Sequence, residues 1–115
     1  MNAVPLAIVN ARVWTNDARR PWADAVLIRG ERIVALGSSA ELRKRAGRAA
    51  RIVDARGRLV LPSHPGGALA ADAVANLVIV EGVPLGEPSL PADASSVVFS
   101  LVEGRIEVDL DALAP

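Results

Sequence analysis

The chemistry-bearing residues of this chain are few. Its only imidazole is His64, and it has no cysteine. A zinc site needs three or four nitrogen, sulfur or oxygen ligands in fixed geometry. His64 lies between Ser63 and Pro65 with no partner at metal-ligand spacing, so it reads as a loop residue. Lys44 is the only lysine, and an amine nucleophile would need a desolvated pocket. Its neighbours Arg43, Arg45, Arg48 and Arg51 argue instead for an exposed position. This dense basic stretch raises the question of a nucleic-acid or phosphate partner. Cations in the last turn of a helix complement its dipole, and no aromatic ring stands nearby to stack on a base. The stretch therefore reads as a solvated helix face, with no nucleic-acid partner expected. Glu31, Asp54, Glu81, Glu103 and Asp109 fall mostly in or beside turn signals, where carboxylates usually bond the turn itself. No catalytic, cofactor-binding or metal-ligating residue is assigned from these patterns.

The elements that would position such groups fit within one domain of 115 residues. Lys+Arg and Asp+Glu balance at 13 each, and 51% of residues are apolar, the profile of a packed globular domain. A net charge of zero gives no overall field to attract a polyanion or an acidic membrane. The N-terminus lacks a basic leader region, and its apolar run is broken by Pro5 and Asn10. No run reaches the ~18 apolar residues of a membrane span. A soluble, cytoplasmic protein without a membrane partner is the expectation.

The pattern predicts mainly β structure. Residues 6–14 alternate as one strand half exposed to water, with Ala7, Val9, Ala11 and Val13 on one side. Residues 25–29 and 32–36 flank Gly30-Glu31, which suits a type II′ hairpin. Ser38-Ser39-Ala40-Glu41 is a capping box for a short helix running to about Ala46, and Gly47 can close it. Residues 50–54 and 59–61 flank Arg56-Gly57 as a further strand, turn, strand unit. The nearly continuous apolar run 75–80 suits a strand covered on both faces. Residues 83–91, with Pro84, Pro88, Pro91 and Gly86, read as a surface loop. Strands over 96–102 and 105–109 flank Glu103-Gly104, a type I′ hairpin turn, and a tail follows from 110. About eight short strands and one short helix indicate a β-sandwich or a partly closed barrel. Trp14 and Trp22, two of only three aromatic residues, are expected to pack between sheets or to cover a face that a further domain would otherwise occupy.

Three stretches carry a resemblance: Val9-Asn10-Ala11-Arg12-Val13-Trp14-Thr15, the run from Ala23 to Gly37, and the run from Asp54 to Pro62. Together they resemble the N-terminal half of the composite β-sandwich domain of the amidohydrolase superfamily. Ala75-Asn76-Leu77-Val78-Ile79-Val80 and residues 97–108 resemble its C-terminal half, with Asn76 where the family usually has Asp. In that family the two halves are separated in sequence by a catalytic (β/α)8 barrel and assembled in space. Such a barrel takes about 250 residues, so this chain cannot contain one.

The resemblance also implies a His-x-His metal pair soon after Leu-Pro-Gly. Here Leu61-Pro62 leads into Ser63-His64-Pro65-Gly66-Gly67, with one His and no second. The family's later ligands belong to barrel strands, so no catalytic position carries over. The expected organisation is a single sandwich built from residues 1–62 and 73–109, joined by the linker 63–72. The expected role is a non-catalytic structural remnant or excised domain of a C–N hydrolase, self-associating through the face a barrel would contact. Two other readings stay open: a small ligand- or protein-binding module, marked by a concave pocket with convergent polar groups, and a hydrolase whose site forms between chains.

Overall fold

In the computed structural model, residues 4–64, 67–81 and 97–110 are described. The elements are β1 (Leu6–Val9), β2 (Arg12–Trp14), β3 (Trp22–Ala23), β4 (Ala25–Arg29), β5 (Arg32–Gly37), α1 (Ser39–Ala46), β6 (Arg51–Asp54), β7 (Leu59–Pro62), β8 (Leu77–Val80), β9 (Val97–Val102) and β10 (Arg105–Asp109). These ten strands form two mixed sheets, in the orders β5-β4-β1-β6 and β10-β9-β8-β7-β2-β3. The mainly β architecture is as expected, but there are ten strands among the described residues rather than about eight. Residues 6–14 divide into two strands, and the short β3 adds another. The expected surface loop 83–91 lies outside the described residues.

Residues 6–14 divide because the chain changes sheet at Asn10. Asn10 takes the left-handed conformation (φ 55°), which asparagine tolerates better than most residues. The strands before and after it belong to different sheets. The same switch occurs between β3 and β4 at Asp24, and between β6 and β7 at the Arg56-Gly57 turn. The three crossings are bonded side by side. Ala11 N–H donates to the Asp24 carbonyl (3.0 Å), Ala55 N–H to Val9 (3.0 Å), Gly57 N–H to Asn10 (2.7 Å) and Arg12 N–H to Arg58 (3.0 Å). The Arg56-Gly57 turn is therefore a corner and not a hairpin, since β6 pairs in parallel with β1 while β7 pairs in parallel with β2. Which neighbour each strand takes is a tertiary matter.

The predicted exposure of residues 6–14 also fails in the first half, where all four residues of β1 are buried. Leu6 and Ile8 enter the inter-sheet core with Val13, Ile28, Val60, Leu77, Ile79, Leu101 and Phe99, the single phenylalanine. Ala7 and Val9 face the other way, against Leu42 and Ala46 of α1. The helix makes this second face dry. Its start follows the capping expectation: the Ser38 hydroxyl accepts from Glu41 N–H (3.2 Å), and Gly47 N–H closes the end on the Arg43 carbonyl. Burying Leu42 there is worth about 2 kcal/mol, enough to hold an eight-residue helix that would be marginal alone.

Both hairpins form as the turn residues require. Arg29 pairs with Arg32 around Gly30-Glu31, and Val102 pairs with Arg105 around Glu103-Gly104. Glu103 (φ 51°) and Gly104 (φ 79°) both have positive φ, the type I′ signature. β8 is buried on both faces, as its apolar run implied.

β7 and β8 are antiparallel neighbours, in register from Leu59↔Val80 to Pro62↔Leu77. The strands on either side of the join thus lie in one sheet. Described residues within and just after the expected linker 63–72 are tied to both sheets. Leu69 N–H donates to the Thr15 carbonyl (2.8 Å), and the Leu69 side chain is fully buried in the core. Asp72 N–H donates to Ile33 and Ile33 N–H to Ala73 (both 2.8 Å). Ala75 N–H then donates to Glu31 (2.8 Å) and Gly104 N–H to Ala75 (3.0 Å), so the two hairpin tips clasp residue 75 between them.

The clasp depends on the absence of a side chain at Gly104, where a Cβ would stand 1.9 Å from the Gly30 carbonyl oxygen. Gly57 has almost the same backbone (φ 80°) with nothing within 4 Å of a Cβ. A left-handed L-residue costs roughly 1–2 kcal/mol at either site. Urea unfolding should therefore show Gly57→Ala losing about that much and Gly104→Ala at least twice as much; equal losses would rule out the clasp. Leu69→Ala should cost about 2–5 kcal/mol, the range for a core truncation, whereas a slack linker would lose almost nothing.

Candidate functional site

The residues singled out by type do not converge. His64 is exposed, and its carbonyl accepts from Gly67 N–H (2.9 Å), so the residue closes a turn. The Asn16 amide donates to the Gly67 carbonyl (2.9 Å), fixing that turn against the loop after β2. Arg43, Lys44 and Arg45 occupy the exposed last turn of α1, with Arg48 and Arg51 exposed beyond it. Among the described residues no three of His, Asp and Glu gather in a way that could hold a metal ion.

Each carboxylate has a local setting. Glu31 and Glu103 are exposed at the two clasped hairpin tips. Glu81 pairs with Arg58 Nη2 at 3.3 Å, shielding one side of a guanidinium that is mostly buried. Asp109 lies in β10. Asp54 serves the corner: one carboxylate oxygen accepts from Arg56 N–H (2.9 Å) and from the Asn10 amide (3.2 Å). Those bonds, the Arg56 amide first and Asn10 second, hold its carboxyl below the ordinary value of 3.8. The Asn10 N–H in turn donates to Ser39 Oγ (2.9 Å), linking the corner to the helix start.

The tryptophans form a cross-strand pair, Trp14 opposite Trp22. Trp14 packs on Leu59, Leu61, Val78 and Val80 on the outer face of the six-stranded sheet. Trp22 is 45% exposed, with the Arg12 guanidinium 5.6 Å from its ring centroid. Asn76 accepts Glu103 N–H on its side-chain oxygen (2.8 Å) and bonds Ser63 N–H through its carbonyl (3.2 Å). Its role in positioning the second hairpin is one that residue type alone did not disclose.

The described residues line at least two open clefts. One, of about 370 Å³, lies beside the join and is lined by Thr15, Asp17, Arg20, Val34, Leu36 and Leu69 among others. Its charges are spent locally: Arg19 faces Asp17 at 3.7 Å, and Arg20 donates to the Leu36 carbonyl at 2.8 Å. The other, of about 420 Å³, is bounded by Val4, Leu6, Ile28, Arg51, Arg105 and Ile106. Neither cleft was legible in sequence, because each gathers residues from at least three separate segments.

Residues 25–49, which span β4, β5 and α1, match a family model described as the imidazolonepropionase-like composite domain of bacteria. The resemblance is to an amidohydrolase composite domain. An N-substituted formamide deformylase of Arthrobacter pascens is 44% identical to this chain over 57 residues, half of this chain and 10% of that enzyme. The chain thus spans about a tenth of the length of the curated relative it matches. An uncharacterized metal-dependent hydrolase of Pyrococcus furiosus is 25% identical, with a TM-score of 0.47 over 51% of this chain and 13% of that one. Enamidase, a member of the amidohydrolase superfamily, is 34% identical, with a TM-score of 0.44 over 51% of this chain and 16% of its own. Among the described residues there is no (β/α)8 barrel. No helix among them is long and apolar enough to cross a membrane.

The Asp54 corner makes a pH prediction. A carboxyl with a lowered folded pKa contributes stability that is present above its unfolded value and is lost as pH falls through the folded value. The stability difference between wild type and Asp54→Ala should therefore be largest above about pH 5 and should shrink steadily toward about pH 2. Urea midpoints measured across that range would show it, and a pH-independent difference would remove the carboxylate from the corner's energetics.

Proposed function

We propose that this chain is a structural module: the composite β-domain of an amidohydrolase-like C–N hydrolase, without hydrolase activity of its own. The carrying observation is the β7–β8 ladder, in which Pro62 stands opposite Leu77 across adjacent strands. In the superfamily a barrel enters the chain at the position equivalent to the end of β7. A barrel of about 250 residues is replaced here by residues 63–76, of which Leu69 and Ala75 are buried in the sandwich core. The single imidazole and the lack of thiols agree with this reading, because the metal-binding His-x-His pair of the family has no counterpart in Ser63-His64-Pro65.

Self-association is the second part of the proposal. The end of the sandwich at the join carries the cleft floored by Val34, Leu36 and Leu69, a surface that a barrel or a second copy would cover.

The direct test is elemental analysis of purified protein together with an assay for formate release from N-substituted formamides, the substrates named for the Arthrobacter relative. The expected result is no stoichiometric zinc and no release above buffer. Bound zinc with turnover would favour the alternative of a hydrolase site formed between chains. Light scattering should give a mass of at least twice 12.0 kDa, and a monomer persisting at high concentration would end the self-association half of the proposal.

A further inference from the structure

The second cleft lies against the clasped tips of the two hairpins, whose Gly30 and Gly104 are part of its lining. Its apolar lining is Val4, Leu6, Ile28 and Ile106, contributed by the segment before β1, by β1, by β4 and by β10. Val4 is 56% exposed and gives the rim apolar surface, above the buried Leu6 and Ile28. The two cations of the lining, Arg51 and Arg105, come from the first residues of β6 and β10. Both are exposed, and among the described residues neither has a carboxylate within ion-pair distance. Arg51 is also the last of the five cations that begin at Arg43.

We propose that this cleft binds an amphipathic monoanion: an aliphatic chain on Val4, Leu6, Ile28 and Ile106, with a carboxylate held between Arg51 and Arg105. Apolar walls with a few convergent polar groups are the general form of a small-molecule site. Guanidinium is the cation best matched to a carboxylate, through paired N–H donors. The volume of about 420 Å³ admits a medium-length chain. In the other cleft one of the two arginines, Arg19, faces Asp17. The inference does not depend on the structural-module reading, because it uses the lining of this cleft and not the content of the join.

The test is titration of the whole chain with octanoate, followed by isothermal calorimetry and by amide chemical shifts. Octanol and acetate serve as probes of the apolar and charged parts alone. Octanoate should bind at least about tenfold more tightly than either, and Arg51→Gln or Arg105→Gln should each weaken it by about tenfold, the usual loss for one charge-assisted contact. Lys44→Gln, in the same basic stretch but outside the cleft, should change binding less than about twofold. Shifts should centre on residues 4–6, 28 and 105–106. Equal binding of octanol and octanoate, wild-type affinity in the Arg51→Gln/Arg105→Gln double variant, shifts centred on Thr15 and Leu69, or no octanoate binding would each overturn the proposal. Both arginines are exposed, so an unchanged urea midpoint will show that the variants remain folded.

Discussion

Everything in this molecule rests on the antiparallel ladder between β7 and β8, because it joins the strands before and after residues 63–76 in the middle of one sheet. From Leu59↔Val80 to Pro62↔Leu77 every residue of both strands is buried. Main-chain groups in such a place must find partners within the protein, since no water reaches them. Each strand is the other's partner. β7 in turn pairs with β2, and β8 with β9, so separating the two would strand polar groups in the centre of a six-stranded sheet. The join needs only to return the chain from the end of one strand to the start of its neighbour.

The corner beside this ladder explains why two sheets can share so few residues. Three strands pass from one sheet to the other at Asn10, Asp24 and Arg56-Gly57, and their crossings are bonded to each other. Bending there folds the inner faces together, so Leu6, Ile8 and Ile28 from one sheet meet Leu77, Ile79 and Phe99 from the other. Side chains meet the main-chain donors at the bend: Asp54 accepts from Arg56 N–H and is held by the Asn10 amide, while Ser39 at the start of α1 accepts from Asn10 N–H. One local feature thus links the two sheets and anchors the helix that covers the outer side of the four-stranded one.

The residues that looked chemical are mostly used for architecture. His64 closes a turn, Asp54 steadies a corner, Asn76 orders a hairpin and the arginines after Leu42 stand in solvent. The absence of convergence was partly legible, because a lone imidazole without cysteines is a poor start for a metal centre. The two clefts were not. Arg51 and Arg105 lie 54 positions apart and become neighbours in one lining only after β6 and β10 are placed at the same end of the sandwich.

Local pattern alone determined the β class, the two hairpins, the helix with its Ser38 start, and the double-faced burial of β8. Each follows from side-chain period or turn stereochemistry, which act within a few residues. Tertiary structure alone decided that residues 6–14 divide at Asn10, that Arg56-Gly57 is a corner, and that residues 67–76 are fastened to both halves. It also made β1 dry on both faces by laying α1 across it. Strand pairing is the reason for the difference: a strand carries its own alternation, but its donors and acceptors are indifferent to which neighbour completes them, and only the assembled sheets choose.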